Sequence, residues 1–183
     1  MKKVLLFSLI FSIIFSVAAF GYETIIIDFP KNTKWNAVYY RNIGTEAILQ
    51  YVPDGQQYTN WKQAVIVHSY KDNGGPAYRL SDILTAQLMR QNPTGRYNYL
   101  RYSGVDSVAV RTTNTYNGIP GQGEIFRSTK ASEGYMTIQY IDRDKVRFKR
   151  DYNMWLKIIR DARVYNSYWR DNHVMNKSEH FEL

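Results

Sequence analysis

Two residue periods share this chain. Over most of its length apolar and polar positions alternate one by one, as in strands with one buried face. In two places the repeat lengthens to 3.6, as in amphipathic helices. The clearest strand pair lies within 43–70. Thr45 to Val52 is rich in residues that suit a pleated, half-buried surface. Pro53-Asp54-Gly55 then turns the chain: Pro presets φ, Asp bonds its own backbone and Gly accepts a positive φ. Trp61 opens the next strand, where Ala64, Ile66 and His68 alternate with Val65, Val67 and Ser69. Both faces of that strand are fairly apolar, which predicts a central position covered on both sides.

The other elements follow in the same way. Tyr22 to Phe29 and Trp35 to Asn42 read as strands, separated by Pro30-Lys31-Asn32, and Lys71 to Pro76 is a loop. Leu80, Ile83, Leu84, Leu88 and Met89 share one helical face; Ser81 or Asp82 serves as the cap and Asn92-Pro93 as the stop. Extended segments return at Tyr97 to Tyr102, Ser107 to Thr113, Gly123 to Thr129 and Gly134 to Asp142. They are joined by the loop Asn114 to Gly121 and the hairpin turn Ser132-Glu133-Gly134. Asp151 caps a second helix, whose stripe is Met154, Trp155, Ile158, Ile159, Ala162, Tyr165 and Trp169. From about 171 to 183 the chain is polar and irregular, a loose tail. Short turns pair strands antiparallel, and amphipathic helices must bury their stripes. The expected fold is a single α+β domain over 22–183, a mostly antiparallel central sheet with two amphipathic helices packed on it.

The first 21 residues change the setting. Met1-Lys2-Lys3 is a positive start, Val4 to Phe20 an apolar run, and Ala19 and Gly21 are the small residues a signal peptidase needs. The expectation is a cleaved signal peptide of bacterial style and a mature chain in the periplasm or outside the cell. No cysteine is present, so thiol chemistry, iron–sulfur clusters and Cys-ligated zinc are excluded. Without Lys2 and Lys3 the chain keeps 22 basic residues against 16 acidic ones, a net charge of +6. That balance favours anionic partners: an acidic protein surface, an anionic polymer or an anionic lipid surface. Nucleic acid is disfavoured by export.

The candidate chemistry is sparse. His68, His173 and His180 are the only histidines, and their spacing makes no metal site; no cofactor motif is present either. Gly118 to Gly123 is glycine-rich but opens no helix, so it lacks the context of a phosphate cradle. The best enzymatic reading is a hydrolase of an anionic polymer with His68 and Glu124 as acid and base in one cleft. Two stretches interleave charge with other groups. Arg96 to Tyr102 puts Tyr97, Tyr99 and Arg101 on one strand face and Arg96 on the other, an arrangement that can stack rings and hold phosphates. Arg143, Lys145, Arg147, Lys149 and Arg150 form the densest positive cluster, a loop before the last helix able to face an anionic surface.

Tyr51-Val52-Pro53-Asp54-Gly55-Gln56, with Asn60-Trp61-Lys62-Gln63-Ala64-Val65-Ile66-Val67 after it, resembles a stretch of small exported bacterial proteins of the Mog1/PsbP-like fold. The element order is similar as well. The resemblance implies an α/β/α sandwich and a binding or assembly role without a shared catalytic centre. The functional expectation is an exported, non-catalytic binding or assembly protein of the bacterial envelope or a secretion system, with another envelope or secreted protein as partner. The alternatives are a secreted hydrolase acting on nucleic acid or cell-wall polymer, and a secreted effector.

Overall fold

The computed structural model describes residues 23–71 and 74–166. The expected signal peptide, the tail, His173, His180 and Trp169 lie outside the described residues. Eight strands and two helices follow the expected order: β1 (Glu23–Ile26), β2 (Trp35–Asn42), β3 (Glu46–Pro53), β4 (Gln63–Lys71), α1 (Ala77–Gln91), β5 (Arg96–Tyr102), β6 (Asp106–Thr112), β7 (Gly123–Ala131), β8 (Gly134–Asp142) and α2 (Lys145–Asp161). A ninth strand, β9 (Arg163–Asn166), closes the described chain. Seven strands form one antiparallel sheet in the order β2-β3-β4-β8-β7-β6-β5. The fold is α+β, with a helix on each face of that sheet. The strand with two apolar faces, β4, is indeed internal, between β3 and β8.

The α2 face holds the main core. Leu49, Tyr51, Val65, Val67, Ile125, Ile138 and Tyr140 point to this side, and Phe148, Trp155 and Ile159 of α2 cover them. Trp155 stacks on Tyr140 at 3.9 Å between ring centres and meets the edge of Trp35 at 5.1 Å. Gly123 is needed here: a Cβ on it would stand 2.3 Å from the Phe148 ring. The ribbon β1–β9 pairs Glu23 with Asn166 through Ile26 with Arg163, and its Ile25 joins the same core. Arg127 on β7 ties the end of α2 down. Its guanidinium bonds Asp106 at 2.7 Å and donates to the carbonyls of Ile159, Arg160 and Ala162, acceptors that a helix C-terminus leaves open.

Both helices begin earlier than the periodicity suggests. The α2 cap is Asp144, whose carboxylate accepts from the Val146 and Arg147 amides at 2.9 and 3.0 Å. Of the cluster expected as a loop, Lys145, Arg147, Lys149 and Arg150 therefore lie in the first turns of α2, and Arg143 just precedes its cap. The helix stops at Asp161, so Tyr165 belongs to β9 rather than to the helical stripe. In α1 the fully buried line is Ala77, Ser81 and Thr85, while Ile83 and Met89 are exposed. Ser81 is thus an interior residue, not a cap. Small side chains spaced by four let this helix sit close on β6 and β7, where Ser107, Ala109 and Ser128 are also small and buried. The first α1 amide, Ala77 N–H, donates to Gly104 O at 2.8 Å.

Candidate functional site

Because α1 sits over β6 and β7, no helix among the described residues covers the same face of β2, β3, β4 and β8. A groove of about 540 Å³ runs between the inner edge of α1 and this open sheet. Its floor is set by register. Tyr39, Gln50, Ile66, Gln139 and Phe126 form one row across five strands. Arg41, Ile48, His68 and Thr137 form the next. The two amides, Gln50 and Gln139, therefore stand two strands apart, about 10 Å at ordinary strand spacing. Gln87 and Gln91, one helical turn apart, line the groove from α1.

The outer wall is aromatic. Tyr58, on the loop between β3 and β4, stacks on Tyr39 with ring centres 4.4 Å apart and planes within 12°. That loop is fixed in place. Gln56 Oε1 accepts from the amides of Lys62 and Gln63 at 2.6 and 3.2 Å, and Asn36 donates to Asp54 at 2.9 Å. The stretch that resembles small exported proteins is thus a pinned turn that holds Tyr58 against the sheet.

The ionisable groups of the groove are mostly paired with one another. Arg111 on β6 lies directly across from Glu124 on β7 and forms an ion pair with it; the two side chains are 4 % and 2 % exposed. The Arg111 guanidinium also sits 4.3 Å over the Phe126 ring, and burial pushes its pKa down to about 10. His68 Nδ1 meets the Tyr70 hydroxyl at 2.6 Å, and its Nε2 is 3.4 Å from the Glu46 carboxylate. Burial lowers the His68 pKa and Glu46 only partly opposes it; burial pushes Tyr70 up to about 12, with Glu46 adding to the rise. Gln50 is 5 % exposed and its amide nitrogen finds no hydrogen-bond partner among the described residues. An unmet buried donor costs about 1–3 kcal/mol, so it marks a place where an acceptor would be welcome.

The depressed His68 pKa has a measurable sign. The unfolded chain takes up a proton near the ordinary imidazole value of about 6.5, before the folded chain does. Stability therefore falls as pH drops through that value towards the folded pKa. The depressed carboxylates Asp144, Asp151 and Asp161 lose their contributions only as pH falls through a lower range. Thermal melts between pH 7.5 and 5 should decline in the wild type and be flatter in His68→Gln. Parallel declines would show that His68 is not the group responsible.

His68 and Glu124 do share the groove, as the hydrolase reading requires. They do not form an acid–base pair across a bond. Glu124 lies two strands over and four residues along from the His68 row, about 16 Å by strand spacing and rise, where paired carboxyls in glycoside hydrolysis stand about 5–9.5 Å apart. Glu124 is also held by Arg111. Among the described residues no cluster of three or more His, Asp or Glu side chains could hold a metal ion. A second hollow, about 790 Å³, opens beside Thr45, Lys71 and the turn at Ser132, where Lys71 and Glu133 pair at 3.5 Å.

The residues singled out by charge and ring pattern lie elsewhere, in two separate places. On β5 a bulge at Leu100 breaks the alternation. Tyr97 and Tyr99 keep to the α1 side, but Arg101 crosses to the other face and pairs with Asp106 at 2.6 Å. The expected shared face of Tyr97, Tyr99 and Arg101 is therefore corrected. Tyr99 and Tyr102 both donate to Asp82 of α1, at 2.7 and 2.6 Å, while Arg96 and Tyr97 are exposed at the sheet edge. Around the start of α2, Arg143 stacks on Trp61 at 3.8 Å, Lys145 donates to Asn114 at 2.7 Å, Arg147 grips Asp142 with two bonds of 2.8 Å, and Arg150 does the same to Asp151. Lys149 is exposed. Most of this cluster is spent on internal bonds, so its outward field is weaker than the sequence suggests. The groove residues Tyr39, Gln50, Tyr58, Gln87, Gln91 and Gln139 carried one sequence signal: Leu49-Gln50-Tyr51-Val52 and Ile138-Gln139-Tyr140-Ile141 each set a lone amide inside an apolar strand.

No curated protein and no solved structure matches the chain. A family model does, over residues 27–164, which takes in every strand of the large sheet and both helices. The chain belongs to that protein family, an uncharacterised one.

Proposed function

We propose that the chain is an exported, non-catalytic binding protein of the bacterial envelope, and that its ligand lies in the groove between α1 and the open half of the sheet. The observation that carries this reading is the groove itself. It combines amide side chains from the sheet and the helix, a stacked tyrosine pair and an internally neutralised ion pair. Such a surface orients a bound molecule with a few placed polar groups. His68 touches the Tyr70 hydroxyl and the Glu46 carboxylate there, but burial pushes Tyr70 up to about 12, the opposite of an activated nucleophile. The amino-terminal run of residues 1–21 supports export. The Mog1/PsbP-like resemblance around Tyr51 to Val67 supports a binding or assembly role, and we extend it to the chain as a finer reading of the fold.

Co-sedimentation with isolated envelopes tests this. The exported chain should pellet with them, and Tyr58→Ala or Gln87→Arg should weaken that association by about tenfold, the worth of one good contact. Charge reversal at Arg96, Arg101, Arg143 and Lys149 should leave it nearly intact. If the basic positions alone matter, the ligand is on the Arg96–Arg101 or Arg143–Arg150 surface and the groove assignment is wrong. If the chain stays in the supernatant in all cases, it is not an envelope-binding protein.

A further inference from the structure

We propose that the groove takes a neutral, hydroxyl-rich polysaccharide of the cell envelope, laid across the sheet from the Tyr39–Tyr58 pair towards Gln87 and Gln91 of α1. This deepens the reading above and rests on it. Three observations choose the ligand chemistry. The first is charge. The whole chain carries +8, yet Arg111 and Glu124 cancel each other in the groove and burial disfavours a charged His68, so Arg41 at the outer rim is its main net charge. A strongly anionic ligand would find little to hold it there.

The second is the type of polar group. Carboxamides donate and accept at once, which matches a hydroxyl that must do both. Gln50 and Gln139 come from the floor and Gln87 and Gln91 from the helix, so amides face the groove from two sides. The Gln50 amide nitrogen, a buried donor with no partner among the described residues, lies in the row next to Tyr39. The flat, stacked Tyr39–Tyr58 pair offers an apolar face with polar tips, suited to the C–H face of a sugar ring.

The third concerns the competing ligand, an extended peptide. Peptides that join sheets do so at an edge, through free backbone groups. Here the floor strands β3, β4 and β8 are each paired on both sides, so their backbone groups are already used in ladders. The free edge is that of β2, at the outer rim, so a peptide laid across β3, β4 and β8 would have to satisfy its own backbone on side chains alone, whereas a saccharide has no such ladder to complete.

Calorimetric titration of the exported chain with chitotetraose and with cellotetraose, beside a ten-residue neutral peptide, tests the ligand class. At least one tetrasaccharide should bind saturably. Tyr58→Ala and Gln87→Ala, each with an unchanged melting temperature, should weaken binding about tenfold or more. Absence of saccharide binding, saccharide binding untouched by both variants, or saturable binding of the peptide in their place would overturn the assignment. If saccharides fail while Tyr58→Ala still abolishes envelope association, the groove remains the binding site and only its ligand class is wrong.

Discussion

Glu124→Leu should destabilise the protein by about 3–5 kcal/mol, because it strands the Arg111 guanidinium without its counter-charge. The carboxylate is 2 % exposed and the guanidinium 4 %, so water reaches neither. The remaining neighbours cannot substitute. Phe126 offers its ring face, worth far less than a carboxylate, and the Arg111 Nε has no hydrogen-bond partner among the described residues. For a domain of this size that loss lowers the melting temperature by roughly 6–20 °C. The double variant Arg111→Met with Glu124→Leu should recover most of it, since two matched apolar chains remove the stranded charge as well as the pair. Equilibrium denaturation of the two singles and the double decides the matter. A single variant that melts within a degree or two of wild type would mean that the pair is not buried in solution.

The second large effect is expected at Trp155. Its indole is 1 % exposed, lies flat on Tyr140 with planes within 9°, and abuts the edge of Trp35. It thereby joins α2 to the sheet centre and to the β2 edge at once. Trp155→Ala leaves a cavity that the rings of Tyr140 and Trp35 cannot collapse to fill, at a cost of about 3–5 kcal/mol. Trp155→Phe keeps the stack on Tyr140 and should cost much less. Chemical denaturation followed by circular dichroism separates the two; equal losses would show that the cavity is not the cause.

Strand identity was legible in this chain because alternation is a local signal. Trp35 to Asn42 and Gly134 to Asp142 could be bounded from sequence at both ends, and the apolar character of both faces of β4 placed it inside the sheet. The helix starts were not legible, since a cap is chosen by tertiary context. Asp144 and Asp151 are equally good caps on paper; Asp144 serves because its carboxylate meets the Val146 and Arg147 amides, while Asp151 is taken by Arg150. Ser81 reads as a cap but is buried against the sheet. The bulge at Leu100 leaves no mark in Tyr97 to Tyr102, yet it sends Arg101 to the opposite face. The groove was partly visible as Gln50 and Gln139 inside apolar strands. Their alignment was not, because it depends on the register of both with Ile66, which only the folded ladder fixes. Charge density misled in the opposite direction: Arg143 to Arg150 stands out in the sequence, but four of its five cations are engaged in contacts within the fold.

The ribbon of β1 and β9 has a consequence for mechanical load. Glu23 pairs with Asn166 at its open end and Ile26 with Arg163 at its closed end. Force applied through Glu23 and Asn166 therefore pulls this antiparallel pair apart like a zip, one rung after another. The load reaches the core at the third rung, Ile25 with Val164, because Ile25 is packed into it. The ribbon is thus a peelable hem: its rungs carry such a load one at a time, where a sheared pair would carry it on all four together.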